Sequence, residues 1–205
     1  MVFESGNLYH IYNQGNNRQK IFYVRNNYLF FLNKLKRHVL PYSEVLAWCL
    51  MPNHFHLLVY VKQVFVPATS ATDGVTQSHP VSNAREVSLN ESIGIMLRSY
   101  TRAINKQEQR VGGLFREETK AECLTSIDGI TPSFYNTSSG TLINISNPEK
   151  EYPQICFEYI HFNPVSAGLT PTPEEWEFSS FRDYCGMRDG HLINRERAGE
   201  FGIKF

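Results

Sequence analysis

Two apolar runs, Ser43–Leu50 and His54–Val61, are separated only by Met51, Pro52 and Asn53. Strands set so close together, broken by a turn-forming proline and asparagine, read as a hairpin. The rest of the chain has to be arranged around it. Upstream, residues 8–13 alternate large and polar side chains and run into Gln14-Gly15-Asn16-Asn17, a strand followed by a turn. Residues 26–39 place Leu29, Leu32 and Leu35 at helical spacing, with basic residues opposite and Pro41 beyond the end. After the hairpin, residues 90–109 carry Ile93, Leu97, Tyr100 and Ile104 on one stripe. Asn90 is the expected N-cap, and Gly112 and Gly113 follow the helix. Residues 114–124 form a candidate fourth strand. The order strand, helix, strand, strand, helix, strand predicts an α+β fold with a ferredoxin-like antiparallel sheet. Its helices cover one face, which leaves the other for a site or a further helix.

That further helix is predicted at about 148–163. It starts at Pro148 and stops near Asn163-Pro164. Two polar stretches interrupt the pattern: 63–88, read as a mobile loop, and 125–147, weakly β-prone. Trp176, Phe178, Phe181 and Tyr184 predict a tail packed on the body. The length of 205 residues suits a single domain spanning 1–205 with these insertions. The opening residues lack the basic start and apolar run of a signal peptide, and no stretch is apolar enough to span a bilayer, so a cytoplasmic chain with no membrane partner is expected. Cys49, Cys123, Cys156 and Cys185 are isolated, which disfavours a structural zinc site and suits small buried residues in a reducing compartment.

The chemistry concentrates in His54-Phe55-His56. Strand side chains alternate, so the two imidazoles share a face and can share a metal ion. Two half-buried histidines satisfied by hydrogen bonds would give the same string, and two ligands alone leave a metal under-coordinated. In the last helix, Tyr159 and Asn163 are four residues apart and lie on one face, while His161 points to the opposite side. A phenol and an amide oxygen there would complement the two histidines. A core tyrosine and a C-capping asparagine are the plainer reading of that helix taken alone.

Taken together, the strings MPNHFHLLV (51–59) and YIHFNPVSAGL (159–169) resemble the single-tyrosine HUH transposases of bacterial insertion sequences. YHIYNQGNNRQ (9–19), LRSYTRAINK (97–106) and WEFSSFRDYCG (176–186) are more narrowly similar to the REP-associated tyrosine transposases. The likeness runs over roughly 7–123 and 150–186 and leaves out both polar stretches. It implies that His54 and His56 bind a divalent metal completed by Asn163, and that Tyr159 is the nucleophile. The implied reaction cleaves and rejoins single-stranded, hairpin-forming DNA through a 5′-phosphotyrosine. Mg²⁺ and Mn²⁺ both suit two imidazoles, an amide oxygen and phosphate. A monomer or a homodimer, bacterial and nucleoid-associated, is implied. An HUH replication initiator or relaxase, and a DNA-binding regulator that has lost activity, are the alternatives.

The formal net charge is zero, which excludes a protein that coats nucleic acid by charge alone. Divided along the chain, however, residues 7–62 carry +6 and 93–120 carry +3, balanced by −6 over 121–205 and −3 elsewhere. Arg98, Arg102 and Lys106 repeat every four residues as one basic stripe. With Asn16, Asn17, Arg18 and Lys20 of the early turn, and Arg116, they are the expected DNA contacts. Glu117 and Glu118 depart from the basic strand that the resemblance implies.

Overall fold

The computed structural model describes residues 1–68, 85–125, 135–137, 140–142 and 148–205. Its first half follows the predicted order: β1 (Leu8–Gln14), α1 (Arg25–His38), β2 (Ser43–Met51) and β3 (His54–Val61). Next come a short ribbon of β4 (Phe65–Pro67) and β5 (Glu86–Ser88), then α2 (Leu89–Gln107) and β6 (Lys120–Cys123). The main sheet has the order β2-β3-β1-β6, with neighbouring strands antiparallel. The protein is therefore α+β, with the ferredoxin-like arrangement.

Side-chain alternation divides the sheet into two faces. Tyr9, Ile11, Phe55, Leu57 and Val59 bury against Phe31 and Leu35 of α1 and Ile93, Met96, Tyr100 and Ile104 of α2. A β-bulge between Val45 and Ala47 shifts the phase of β2, so Trp48 and Leu50 join this face while Ala47, Cys49 and Met51 turn to the other. On that second face lies α3 (Pro148–Ser166), whose Tyr152, Cys156, Phe157 and Ile160 cover Leu8, Leu46, Cys49 and Leu58. The tail runs along the outer edge of β2, where Leu50 N–H donates to Phe178 O at 2.8 Å and Ser180 N–H to Trp48 O at 2.9 Å. Trp176 and Tyr184 pack beside it, so the edge is covered rather than left open. Two short helices, α4 (Phe181–Tyr184) and α5 (Arg195–Glu200), complete the tail.

Several sequence expectations change. In α1 the buried stripe is Tyr28, Phe31 and Leu35, while Leu29 is exposed, because the aromatic rings present more apolar area to the sheet. The cap of α2 is Ser88, not Asn90: the Ser88 hydroxyl accepts from Glu91 N–H, and the Glu91 carboxylate reaches back to Ser88 N–H. The fourth strand shrinks to four residues, because the Asn13 side chain takes Arg116 O and Thr119 Oγ1 and draws 116–119 away from the ladder. The expected loop over 63–88 begins and ends as the β4–β5 ribbon, with Val66 and Val87 buried. Its centre, 69–84, lies outside the described residues. In the second polar stretch, β7 (Tyr135–Thr137) pairs with β8 (Gly140–Leu142), and 126–134, 138–139 and 143–147 lie outside the described residues. Helix α3 passes through Pro164, whose fixed φ is helical, and runs to Ser166, with Gly168 at φ 67 just beyond it. All four cysteines are free, but only Cys49 and Cys156 are buried. Among the described residues, no helix is long and apolar enough to cross a membrane.

The corrected cap gives a direct test. Ser88→Ala should cost about 1 kcal/mol in urea unfolding, whereas Asn90→Ala should change stability by less than about 0.5 kcal/mol. The reverse order of losses would return the cap to Asn90.

Candidate active site

Strand register decides which side chains meet. Gln14 lies opposite His54 and Tyr12 opposite His56 across β1 and β3, with His10 one step further along. All point to the face that α3 covers. Helix α3 brings Tyr159 down onto them: its ring centroid is 5.2 Å from that of His56 and 6.0 Å from that of His10. One turn later Asn163 Oδ1 lies 3.1 Å from His54 Nε2. Tyr159, His54, His56 and Asn163 therefore come together within one chain. His161 faces away, as its position predicts. It is buried, with Nε2 2.7 Å from Ser180 Oγ, and that hydroxyl also takes Trp48 N–H at 2.9 Å. The back of α3 is thereby tied to both the tail and β2.

The pocket has a volume of about 250 Å³ and is lined by Tyr12, His54, His56, Arg116, Lys120 and Tyr159 among others. Tyr159 is 42% exposed and His56 only 5%, so the tyrosine reaches solvent while His56 lies buried beneath it. Burial holds the three histidines below the ordinary imidazole pKa, with His10 lowered to about 4. They are neutral at pH 7. Burial also raises the Tyr159 phenol, while its hydrogen bond with Asn163 works in the opposite direction. Tyr12 is pushed up by burial and by donating to Glu122 Oε1 at 2.6 Å.

The donor set fits a cation. His54 Nδ1 lies 2.6 Å from Asn53 Oδ1, an acceptor whose own amide nitrogen donates to Arg18 O. A neutral His54 must therefore carry its proton on Nδ1, which leaves a lone pair on Nε2. Asn163, using its amide N–H toward the phenol, turns Oδ1 to that lone pair. Two acceptors then face each other at 3.1 Å, close to the ~3.0 Å edge of an octahedron with ~2.1 Å bonds. His56 Nε2 is buried and has no hydrogen-bond partner among the described residues. Among those residues no group of three or more His, Cys, Asp and Glu could hold a metal, so the third protein donor would be the Asn163 amide.

The early turn adjoins this site. Gly15 N–H donates to Asn53 O at 2.8 Å, and a Cβ at Gly15 would lie 2.2 Å from Gln19 O, so only glycine fits there. Asn17 and Arg18 both have positive φ, 52° and 57°. Asn16 and Gln19 hold the turn to the backbone oxygens of Gly113 and Leu114, leaving Asn17, Arg18 and Lys20 exposed. Arg116 lines the pocket itself. Arg98 lines a neighbouring groove of about 620 Å³ that shares Glu118 and Lys120 with the pocket. Arg102 and Lys106 are exposed further along α2 and do not reach the pocket. Glu118 pairs with Lys120 at 2.6 Å, so part of the basic wall is neutralised. Sequence reasoning missed His10, Tyr12 and Lys120. The alternation of YHIYNQ held the signal for the first two, since His10 and Tyr12 share a strand face.

No protein-family model matches the chain, and no curated protein matches it. Among solved structures, it is similar to a REP-associated tyrosine transposase bound to a REP hairpin, with a TM-score of 0.54 and 14% identity, covering 95% of each chain. The likeness is one of fold.

Because Ser180 Oγ joins α3 to β2, Ser180→Ala should destabilise the protein by about 1–3 kcal/mol in chemical denaturation. An unchanged midpoint would mean that the His161 contact does not anchor the tyrosine helix.

Proposed function

We propose that this chain is a metal-dependent transposase or nuclease that cuts and rejoins single-stranded DNA through a 5′-phosphotyrosine on Tyr159. The observation that carries the reading is the convergence of the Tyr159 phenol with the His54, His56 and Asn163 donors in one pocket. The fold shared with a transposase bound to hairpin DNA supports hairpin-forming repeats as the substrate class. The proposed setting is the bacterial cytoplasm, at the nucleoid.

His54, His56 and Asn163 would hold Mg²⁺ or Mn²⁺, which when bound would draw charge from the scissile phosphate as a Lewis acid. Two imidazoles and an amide carry no negative charge, so the DNA phosphate itself would complete the binding. Tyr159 supplies the nucleophile. Its oxygen bonds to phosphorus as the bond to the 3′ oxygen breaks; the phenol gives up its proton and the departing 3′ oxygen takes one. A phenol of ordinary pKa about 10 is a poor nucleophile at neutral pH. The Asn163 hydrogen bond stabilises the phenolate against the burial that opposes it. A free 3′-hydroxyl reverses the step and joins strands. Arg116 and Lys120 at the pocket, Arg98 beside it, and Arg18 and Lys20 on the turn would meet phosphates, with Asn16 and Asn17 near base edges. Arg102 and Lys106 extend that track along α2. Binding should weaken as salt rises.

A suicide oligonucleotide with a hairpin and its 5′ flank, given Mn²⁺, should form a covalent adduct with the native protein. Tyr159→Phe should lose the adduct while keeping DNA affinity, and His54→Ala should lose metal-dependent cleavage. An adduct on Tyr159→Phe would rule out this nucleophile, and no adduct on the native protein would favour a DNA-binding regulator. Because one chain supplies every donor, mixing the two variants should restore nothing. Restored cleavage would mean that partners exchange α3.

A further inference from the structure

His10 sits behind the site and has no part in the chemistry above. It is 7% exposed, and its ring stacks on His56 with centroids 5.1 Å apart and planes 24° from parallel. Its Nε2 lies 2.9 Å from His56 Nδ1 in hydrogen-bond geometry. Two nitrogens aimed at each other at that distance share a proton and leave no room for an ion between them. His10 is thus not a further ligand alongside His56. Its influence has to pass through the proton they share.

That proton has two possible homes with opposite consequences. If it sits on His10, His56 Nδ1 accepts, and a neutral His56 carries its own proton on Nε2. Nε2 would then be a buried N–H with no partner among the described residues. If it sits on His56 Nδ1, that group donates to His10, and Nε2 becomes a buried lone pair on the pocket side. In the second arrangement a neutral His10 carries its own proton on Nδ1, which is not among the buried unpartnered atoms of the described residues. Since orphaned buried N–H groups are rarer than under-satisfied acceptors, that arrangement is favoured before any ligand arrives. A second ring nitrogen held by a neighbour is also what orients ligand histidines in metal sites.

We propose that His10 is a positioning residue: it accepts the Nδ1 proton of His56, fixes that tautomer and ring orientation, and presents His56 Nε2 to the divalent ion. The proposal rests on the metal reading given under Proposed function. It assigns to the histidine of the first strand a role that leaves substrate and phosphate untouched.

The test combines ring ¹⁵N chemical shifts of His56 with Mn²⁺ titration of the full chain, without DNA. In the native protein the shifts should report Nδ1–H, and a report of Nε2–H overturns the proposal without any variant having to fold. His10→Phe removes the acceptor but keeps a ring, and should weaken Mn²⁺ binding about 10–100-fold. His10→Gln restores an acceptor and should recover most of the loss. If His56→Ala abolishes binding while His10→Phe binds like the native protein, His10 is only packing and the proposal fails alone. If the native protein binds no Mn²⁺, the metal reading fails and takes the proposal with it.

Discussion

The arrangement turns on one contact, between His54 Nε2 on β3 and Asn163 Oδ1 on α3. It joins the centre of the sheet to the helix that carries Tyr159. Hydrogen bonding at Asn53 and at Tyr159 leaves both atoms as acceptors. Positive charge between or beside two such acceptors would relieve their repulsion. The apolar packing of Tyr152, Cys156, Phe157 and Ile160 brings the two acceptors together and holds them there. On the far side of the helix, the His161–Ser180–Trp48 bonds prevent it from rolling away. Packing and hydrogen bonding thus supply the work that forces two acceptors into one small space.

Around that contact the charge is graded rather than uniform. The three imidazoles are kept neutral by burial, and the carboxylates nearest the pocket are engaged: Glu118 with Lys120, Glu122 with Tyr12. Arg116 remains on the pocket wall, and Arg98 lies one groove away. A protein of zero net charge therefore presents a locally positive rim over a neutral floor. On the proposed reading, such a floor would hold a bare cation weakly and a cation with its phosphate better, which would couple metal and DNA binding.

Much of this could be read from the sequence because the relevant patterns are local. The period of two in β3 put His54 and His56 on one face, the spacing of four put Tyr159 with Asn163, and the element order gave the sheet. What could not be read depended on long-range choices. Nothing local says that Asn13 will take Arg116 O and pull the fourth strand apart. The α1 stripe was misplaced because leucine spacing and ring area compete for the same face, and area won at Phe31. His10 becomes visible only once register sets β1 beside β3, since its partner lies 46 residues away. Helix α3 outruns Pro164 because the proline ring is buried on the body, which a local rule for helix ends does not consider.

The central claim is that strand and helix are joined through a divalent cation, and diffraction from crystals soaked in Mn²⁺, recorded at the manganese absorption edge, tests it most directly. A single anomalous peak within bonding distance of His54 Nε2, His56 Nε2 and Asn163 Oδ1 is the expected result. A peak elsewhere, or none at this pocket with Mn²⁺ in excess, would contradict it and leave His54 and Asn163 as a hydrogen-bonded pair with no metal to hold.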